Sequence, residues 1–200
     1  MTPEAAAAAA ARPRVEGDRE QEILDAALKV LADVGYDRLT MDAVAHRAKA
    51  SKATLYRRWN SKAKLVVESL ARMKTTPDEL PDTGDLRTDL VTAFCGMGGL
   101  TNHDTTATFG AVVTAVTTDP EFAAEFREQV VGPKSQVSRT LFERARGRGE
   151  LRDDIDLDII VPALSGIVLH RVFVLGEQPD AALIERAIDQ IILPAVRPRD

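Results

Sequence analysis

The chain reads as all-α, and three features of the sequence predict it. Apolar residues recur at three- and four-residue spacing through most of the chain, the period that lays one stripe along a helix. Sustained two-residue alternation is absent, and no Asn-Gly or Asp-Gly pair offers a hairpin turn. Ser or Thr stands just ahead of several apolar runs, and Gly closes others, which is the punctuation of helix ends. The 200 residues, 44% of them apolar, suffice for one or two packed domains. About nine helices are expected from this pattern.

Residues 1–14 stand outside that pattern and read as a disordered tail. Ala5 to Ala11 is an alanine run preceded by Glu4, too weakly apolar for a secretion signal. Arg12-Pro13-Arg14 has the makings of a minor-groove arm, although a plain tail is the simpler reading. Ile23, Leu24, Ala27, Leu28, Leu31 and Ala32 then mark one face of a helix from about Asp18 to Val34. Glu16, Asp18, Glu20 and Glu22 crowd its positive end, and Gly35 tolerates the left-handed conformation that stops it.

Thr40 reads as the cap of a two-turn helix whose buried side is Met41, Val44, Ala45 and Ala48. Lys49-Ala50 makes a turn, and Ser51 caps a second short helix, Lys52 to Trp59, with Leu55 and Trp59 inward. Ser61 caps a fourth helix from Lys62, with Leu65, Val66, Leu70 and Met73 on its apolar side. Two short helices around a tight turn, with the second helix polar and basic, is the arrangement that lays one helix in the major groove of DNA.

Charge points the same way. Nine Lys or Arg residues lie between Thr40 and Lys74, opposed there only by Asp42 and Glu68, so the segment carries +7. The whole chain carries −5, which leaves −12 for the rest. Phosphate attraction is screened within about 10 Å, so a local basic head matters more than the overall balance. The residue types on the second short helix fit close reading of a duplex. Ala53 and Thr54 are small enough for close approach, Thr54 offers a hydroxyl, and Tyr56, Arg57, Arg58 and Lys62 suit phosphates. An ordinary solvated basic helix is the bland alternative, and the two caps and the turn weigh against it.

At these residues the sequence resembles the TetR family of bacterial transcriptional repressors. The likeness rests on Thr40-Met41-Asp42-Ala43-Val44-Ala45, Ala48, Ser51 through Trp59, and Ser61-Lys62. It departs from the family pattern at Lys49-Ala50, where Gly-Val is common, at Val44, where Ile is common, and at Arg58, where His is frequent. The resemblance implies DNA contacts from Thr40, Ser51, Lys52, Ala53, Thr54, Tyr56, Arg57, Arg58 and Lys62. Thr40, Tyr56 and Lys62 would hold phosphates, while Lys52, Ala53, Thr54 and Arg57 would approach bases. The helix-turn-helix domain, with the start of a connecting helix, is expected over residues 15–74. A ligand-binding and dimerisation domain is expected over 75–200.

Thr75 to Gly84, with two prolines and three acids, is the break between them. Helices are then expected over Leu86 to about Gly99, Thr106 to Thr117, Pro120 to Gly147 with a kink or break at Gly132-Pro133, Ile155 to Leu175, and Ala181 to Val196. The last two are the most hydrophobic, and Ile155–Leu175 is apolar nearly all round. A chain of this size has little interior to hide such a helix, which predicts a homodimer paired through these two helices. A dimer in turn suits a palindromic operator of double-stranded DNA.

The resemblance also implies a small-molecule effector among the middle helices, which changes the separation of the two heads. Candidates for its pocket are Phe94, Met97, Phe109, Val113, Val116, Phe142, His170 and Phe173, any of which also serves as plain core. Few charges in these segments point to an apolar or neutral effector.

Other function classes find little support. Three scattered histidines and one cysteine, Cys95, give no Cys-x-x-Cys and no Glu-x-x-His pair, so neither a metal nor another cofactor is expected. Phosphate-binding glycine loops and the Gly-x-Ser-x-Gly elbow of hydrolases are missing, so an enzyme is not expected. A lone cysteine fits a reducing cytoplasm, and no run reaches membrane-spanning length. The rival readings are a helical adaptor dimer without DNA binding and an activator of the same fold.

Overall fold

The computed structural model describes residues 16–73, 80–96, 103–177 and 180–198, and every regular element among them is helical. Helix α1 spans Glu16–Arg38, but Gly35 sits at φ 76° and ψ 168°, so the regular helix ends where the sequence predicts. Then come α2 (Met41–Arg47), α3 (Lys52–Arg58) and α4 (Lys62–Ala71). Each of these three is capped as expected. Thr40 accepts from the Ala43 N–H, Ser51 from that of Thr54, and Ser61 from that of Lys64.

The body begins with α5 (Leu86–Gly96) and α6 (His103–Thr118). Helix α7 (Pro120–Phe126) runs through a π-helical stretch, Arg127–Val131, into α8 (Gly132–Gly147). Of the kink or break expected at Gly132-Pro133, a break is absent, because the wide turn absorbs the proline. Pro133 brings no N–H, and i→i+5 bonding ahead of it makes room for the ring. Gly132 contributes by being small, since a Cβ there would stand 3.3 Å from the Arg127 carbonyl oxygen. The same device recurs near the end of the chain. After α9 (Leu157–Phe173), α10 (Ala181–Ala187) passes through a π stretch, Ile188–Ile192, into α11 (Leu193–Val196), just ahead of Pro194.

Two apolar clusters hold this together. The first gathers α1 to α4 and also takes Val112 and Ala115 from α6, Phe122 from α7 and Val130 from the π stretch. Tyr36 meets Phe122 edge-on at 4.7 Å between ring centres, a contact of about 0.5–1.5 kcal/mol beyond its buried area. The head therefore shares its core with α6 and α7, which its own sequence does not reveal. The second cluster joins α5, α8, α9 and the C-terminal helices. Its polar anchor is Asp89, fully buried, which accepts from the Thr83 N–H at 2.7 Å, the Thr83 hydroxyl at 2.8 Å and Arg148 at 3.3 Å.

Within one chain α9 is not buried all round. Leu157, Val161, Leu164, Val168 and Val172 face the core, while Ile159 is 68% exposed, and Leu169 and Phe173 are exposed as well. Just past its end Val174 and Leu175 are exposed, as is Ile191 in the last helix. The tail with its Arg12-Pro13-Arg14, Met97 and the first half of the Thr75–Gly84 break, residues 75–79, lie outside the described residues.

Candidate nucleic-acid interface

The turn between α2 and α3 sets the angle of the outer helix, and it is built from hydrogen bonds. The Lys49 N–H donates to the His46 carbonyl at 3.1 Å and the Ala50 N–H to that of Ala45 at 2.8 Å. This pair is the Schellman closure of a helix, which asks for a left-handed residue at Lys49. Lys49 adopts it, at φ 51°, and is the one non-glycine residue with positive φ among those described. From α1, Arg19 donates to the Lys49 carbonyl at 2.6 Å and so clamps the turn from outside.

Helix α3 hangs on two buried side chains, Leu55 and Trp59, and presents the rest outward. Lys52, Ala53, Tyr56, Arg57 and Arg58 are exposed, and Thr54 is half-buried. Thr40 and Ser51, ahead of α2 and α3, are exposed too. Thr54 has a double engagement, its N–H on the Ser51 hydroxyl and its own hydroxyl 2.8 Å from the same oxygen. Lys52 pairs with Asp42, an exposed pair of the kind worth about 0–1 kcal/mol that a phosphate readily displaces. Arg57 has no ion-pair partner among the described residues.

Arg58 and Lys62, expected on phosphate, are engaged within the chain itself. Arg58 turns back over the Trp59 ring and donates to Glu20 and Glu68, both at 3.2 Å. Arg72 joins the same two carboxylates, and the buried Trp59 indole N–H donates to Glu68 at 2.6 Å. Burial pushes the Glu20 carboxyl up, but the hydrogen bond from Arg58 and the charges of Arg72 and Arg58 outweigh it and hold it below its ordinary range. This knot fixes α3 to α1 and α4. Lys62 lies 4.2 Å from the Tyr36 ring centre and donates to the Tyr36 carbonyl at 3.1 Å, so in this state its ammonium serves the fold. Sequence reasoning missed both roles because Glu20 and Tyr36 are far away along the chain. Arg47 is likewise matched by Asp33. The net charge of the reading face is thus smaller than the segment's +7.

The head is wired to the body at the same helix ends. The Tyr36 hydroxyl donates to Asp119 at 2.7 Å, the Ser61 hydroxyl donates to Glu121 at 2.8 Å, and Lys64 stands 3.6 Å from Glu125. Burial and the Asp119 carboxylate push the Tyr36 phenol well above its ordinary range, while Tyr36 and the Phe122 N–H hold Asp119 below its own. These contacts tie α7 and its cap to the end of α1 and the start of α4.

The expected effector residues are spread over both apolar clusters and the surface. Phe142 is buried in the second cluster, with Phe94 packed against it, whereas Val116 packs against the first. Phe109 is half-buried, and the Phe173 ring reaches α6 at Gly110. Val113 and His170 are exposed, so neither serves as plain core. On α6 the inward residues are Val112 and Ala115, and a step of one residue turns Val113 by about 100° away. On α9 the inward row ends at Val168 and Val172, which leaves His170 outside. Where a helix is apolar on every side, hydropathy alone does not choose the face.

Comparison with known proteins agrees with this geometry. Residues 23–68 match the model of bacterial regulatory proteins of the tetR family, and residues 80–191 match that of tetracyclin repressor-like C-terminal domains. A DNA-binding transcriptional repressor, TetR, of Mycobacteroides abscessus is 35% identical over 90% of this chain and 95% of its own. An uncharacterised HTH-type regulator of Bacillus subtilis, YdeS, is 30% identical over 84% of each chain. The solved structure of the TetR family transcription regulator SCO0332 superposes with a TM-score of 0.65 at 28% identity, covering 90% of this chain and all of that one. The flavonoid-responsive regulator FrrA shares the fold, with a TM-score of 0.66 at 22% identity over 92% of this chain and all of its own. The outer helix on its capped turn, the head seated on a helical body and these relatives lead to one conclusion: the chain belongs to the TetR family of bacterial transcriptional regulators.

Proposed function

We propose that this regulator is a homodimeric repressor that sets α3 of each protomer into the major groove of a palindromic operator and is released when a small-molecule effector enters the body. The observation that carries the reading is α3 itself. It is capped, held from beneath by Leu55 and Trp59, and it leaves Ala53, Tyr56 and Arg57 exposed with Thr54 half-buried beside them. Thr40, Ser51 and Lys52 flank it as phosphate or backbone contacts, and Arg58 and Lys62 join them by exchanging a protein partner for phosphate. Repression also accords with the Mycobacteroides relative.

Dimerisation is assigned to the apolar outer face of α9 and the C-terminal helix. Ile159, Leu169, Phe173, Val174, Leu175 and Ile191 are exposed apolar side chains on or just beyond these two helices, the residue types that a partner surface buries. Residues 15–74 serve as the reading head and 75–200 as the effector and dimer body, with the effector between the middle helices. A ligand that binds the spread-head state better than the DNA-bound one shifts the population by that difference in affinity. None of the described helices is long and apolar enough to cross a membrane, which suits a regulator working in the cytoplasm.

Fluorescence anisotropy with labelled DNA from upstream of the chain's own coding sequence tests the reading. Tight, salt-sensitive binding that unlabelled random DNA fails to compete away is expected. Equal affinity for both DNAs contradicts it.

A further inference from the structure

The long helix from Pro120 to Gly147 passes through both apolar clusters, contributing Phe122 and Val130 to the first and Leu141 to the second. Between them its buried face turns polar. Ser138 is buried, and one helical turn earlier stands Lys134 on the same face. The π stretch helps to bring them there. Sixteen residues of plain α-helix would carry Ser138 about 160° around the axis from Phe122, and the wider turns of Arg127–Val131 take back part of that rotation.

Lys134 is the only lysine after Lys74. It is half-buried, and its ammonium has neither a hydrogen bond nor an ion pair among the described residues. The Ser138 hydroxyl does not serve it, because that group donates to the Lys134 carbonyl at 3.3 Å. Other cations of the body are treated differently. Arg87, Arg139, Arg144, Arg148, Arg152 and Arg171 each face a carboxylate. Arg127, Arg186 and Arg197, which have none, are exposed to water. Loss of water alone pushes the Lys134 amine below its ordinary range. A cation withdrawn from water without a counter-charge costs stability, and removing it or pairing it relieves that cost.

We propose that Lys134 receives the anionic group of an acidic effector, a carboxylate carried on an apolar body. This rests on the reading of the chain as an effector-released regulator and names the chemical class of the effector. The expectation of an apolar or neutral ligand omitted this residue, since Lys134 sits in a polar stretch of sequence. The charge–charge hydrogen bond orients the ligand, and the π stretch beside it leads through α7 to Asp119 and Glu121 at the head.

The test uses the full chain and paired probes: decanoate against 1-decanol, and 2-naphthoate against 2-naphthamide, with affinity from calorimetry and release of upstream DNA from anisotropy. The two pairs separate a fatty acid from an aromatic one. At least one acid is expected to bind about tenfold or more tighter than its neutral partner. Lys134→Met should abolish that preference while leaving the neutral compound's affinity and the fold intact, with a melting temperature equal to or above wild type. Lys134→Arg should keep the preference. Acids that bind no better than their partners, or a preference that survives Lys134→Met, overturn the proposal. If neutral partners bind and release DNA as well as the acids, effector release stands and the charge assignment falls. If no probe binds, both lose their support.

Discussion

Two exposed surfaces of this protein invite opposite partners. On α3 the exposed residues are short, hydroxylic or cationic, and beneath them lies a rigid footing of Leu55, Trp59 and the Glu20–Glu68 carboxylates. On the outer side of α9 and the last helix the exposed residues are Ile159, Leu169, Phe173, Val174 and Ile191, with little charge among them. The first surface meets a partner that keeps its water and its counterions until contact, so it needs precise donors. The second, proposed to meet its own copy, needs only matching apolar area. Exposure alone does not name a partner; the chemistry of the exposed atoms does.

Breaking the apolar surface should have the largest effect. Ile159→Glu with Val174→Glu is expected to give a monomer by light scattering. Operator affinity should fall about a hundredfold or more as two heads become one. Retained dimerisation would move the interface elsewhere. On the other surface, Arg57→Ala or Thr54→Ala should cost about 1–3 kcal/mol on the operator and relax the preference between operator and random DNA. Lys62→Ala should instead weaken both DNAs alike and flatten the salt dependence.

The footing is expected to fail before the apolar face does as pH falls. Glu20 and Asp119 both titrate below their ordinary range in the folded state. A depressed carboxyl contributes its stability fully above its unfolded value, about 4, and loses it as pH falls through the folded value. Head stability, followed by Trp59 fluorescence, should therefore decline below about pH 4, with a weaker decline in Glu20→Gln. An identical acid profile in that variant would contradict the role given to the carboxylate cluster.

Smaller effects sharpen the picture. Tyr36→Phe removes one hydrogen bond to Asp119 and should cost about 1 kcal/mol in chemical denaturation. Because the folded phenol titrates above its unfolded value, its contribution is fully present below about pH 10 and is lost as pH rises through the folded value. Lys49→Gly relieves a left-handed residue and should stabilise by up to about 1 kcal/mol without moving the turn, since the Schellman bonds remain. A destabilised Lys49→Gly would show that the lysine side chain matters to the fold.

The head was legible in the sequence because caps and helix spacing are local. Thr40, Ser51, Ser61 and Gly35 each act within four residues of themselves. Long-range features stayed hidden, including Arg58 on Glu20, Lys62 on Tyr36 and α6 packed under α1. Nothing in the spacing of Glu20 says that it faces an arginine on another helix. In the body, the exposure of Val113 and His170 stayed hidden because hydropathy on an all-round apolar helix carries no phase. The π stretches escaped because their only trace is a proline, which also predicts a break.

Methylation interference on the upstream DNA tests the central claim most directly, because guanine N7 lies in the major groove. Two groups of interfering guanines, related by a two-fold axis and both weakened by Thr54→Ala, are the result expected of α3 as the reading helix. Binding that ignores N7 methylation and is instead blocked by minor-groove ligands would contradict it.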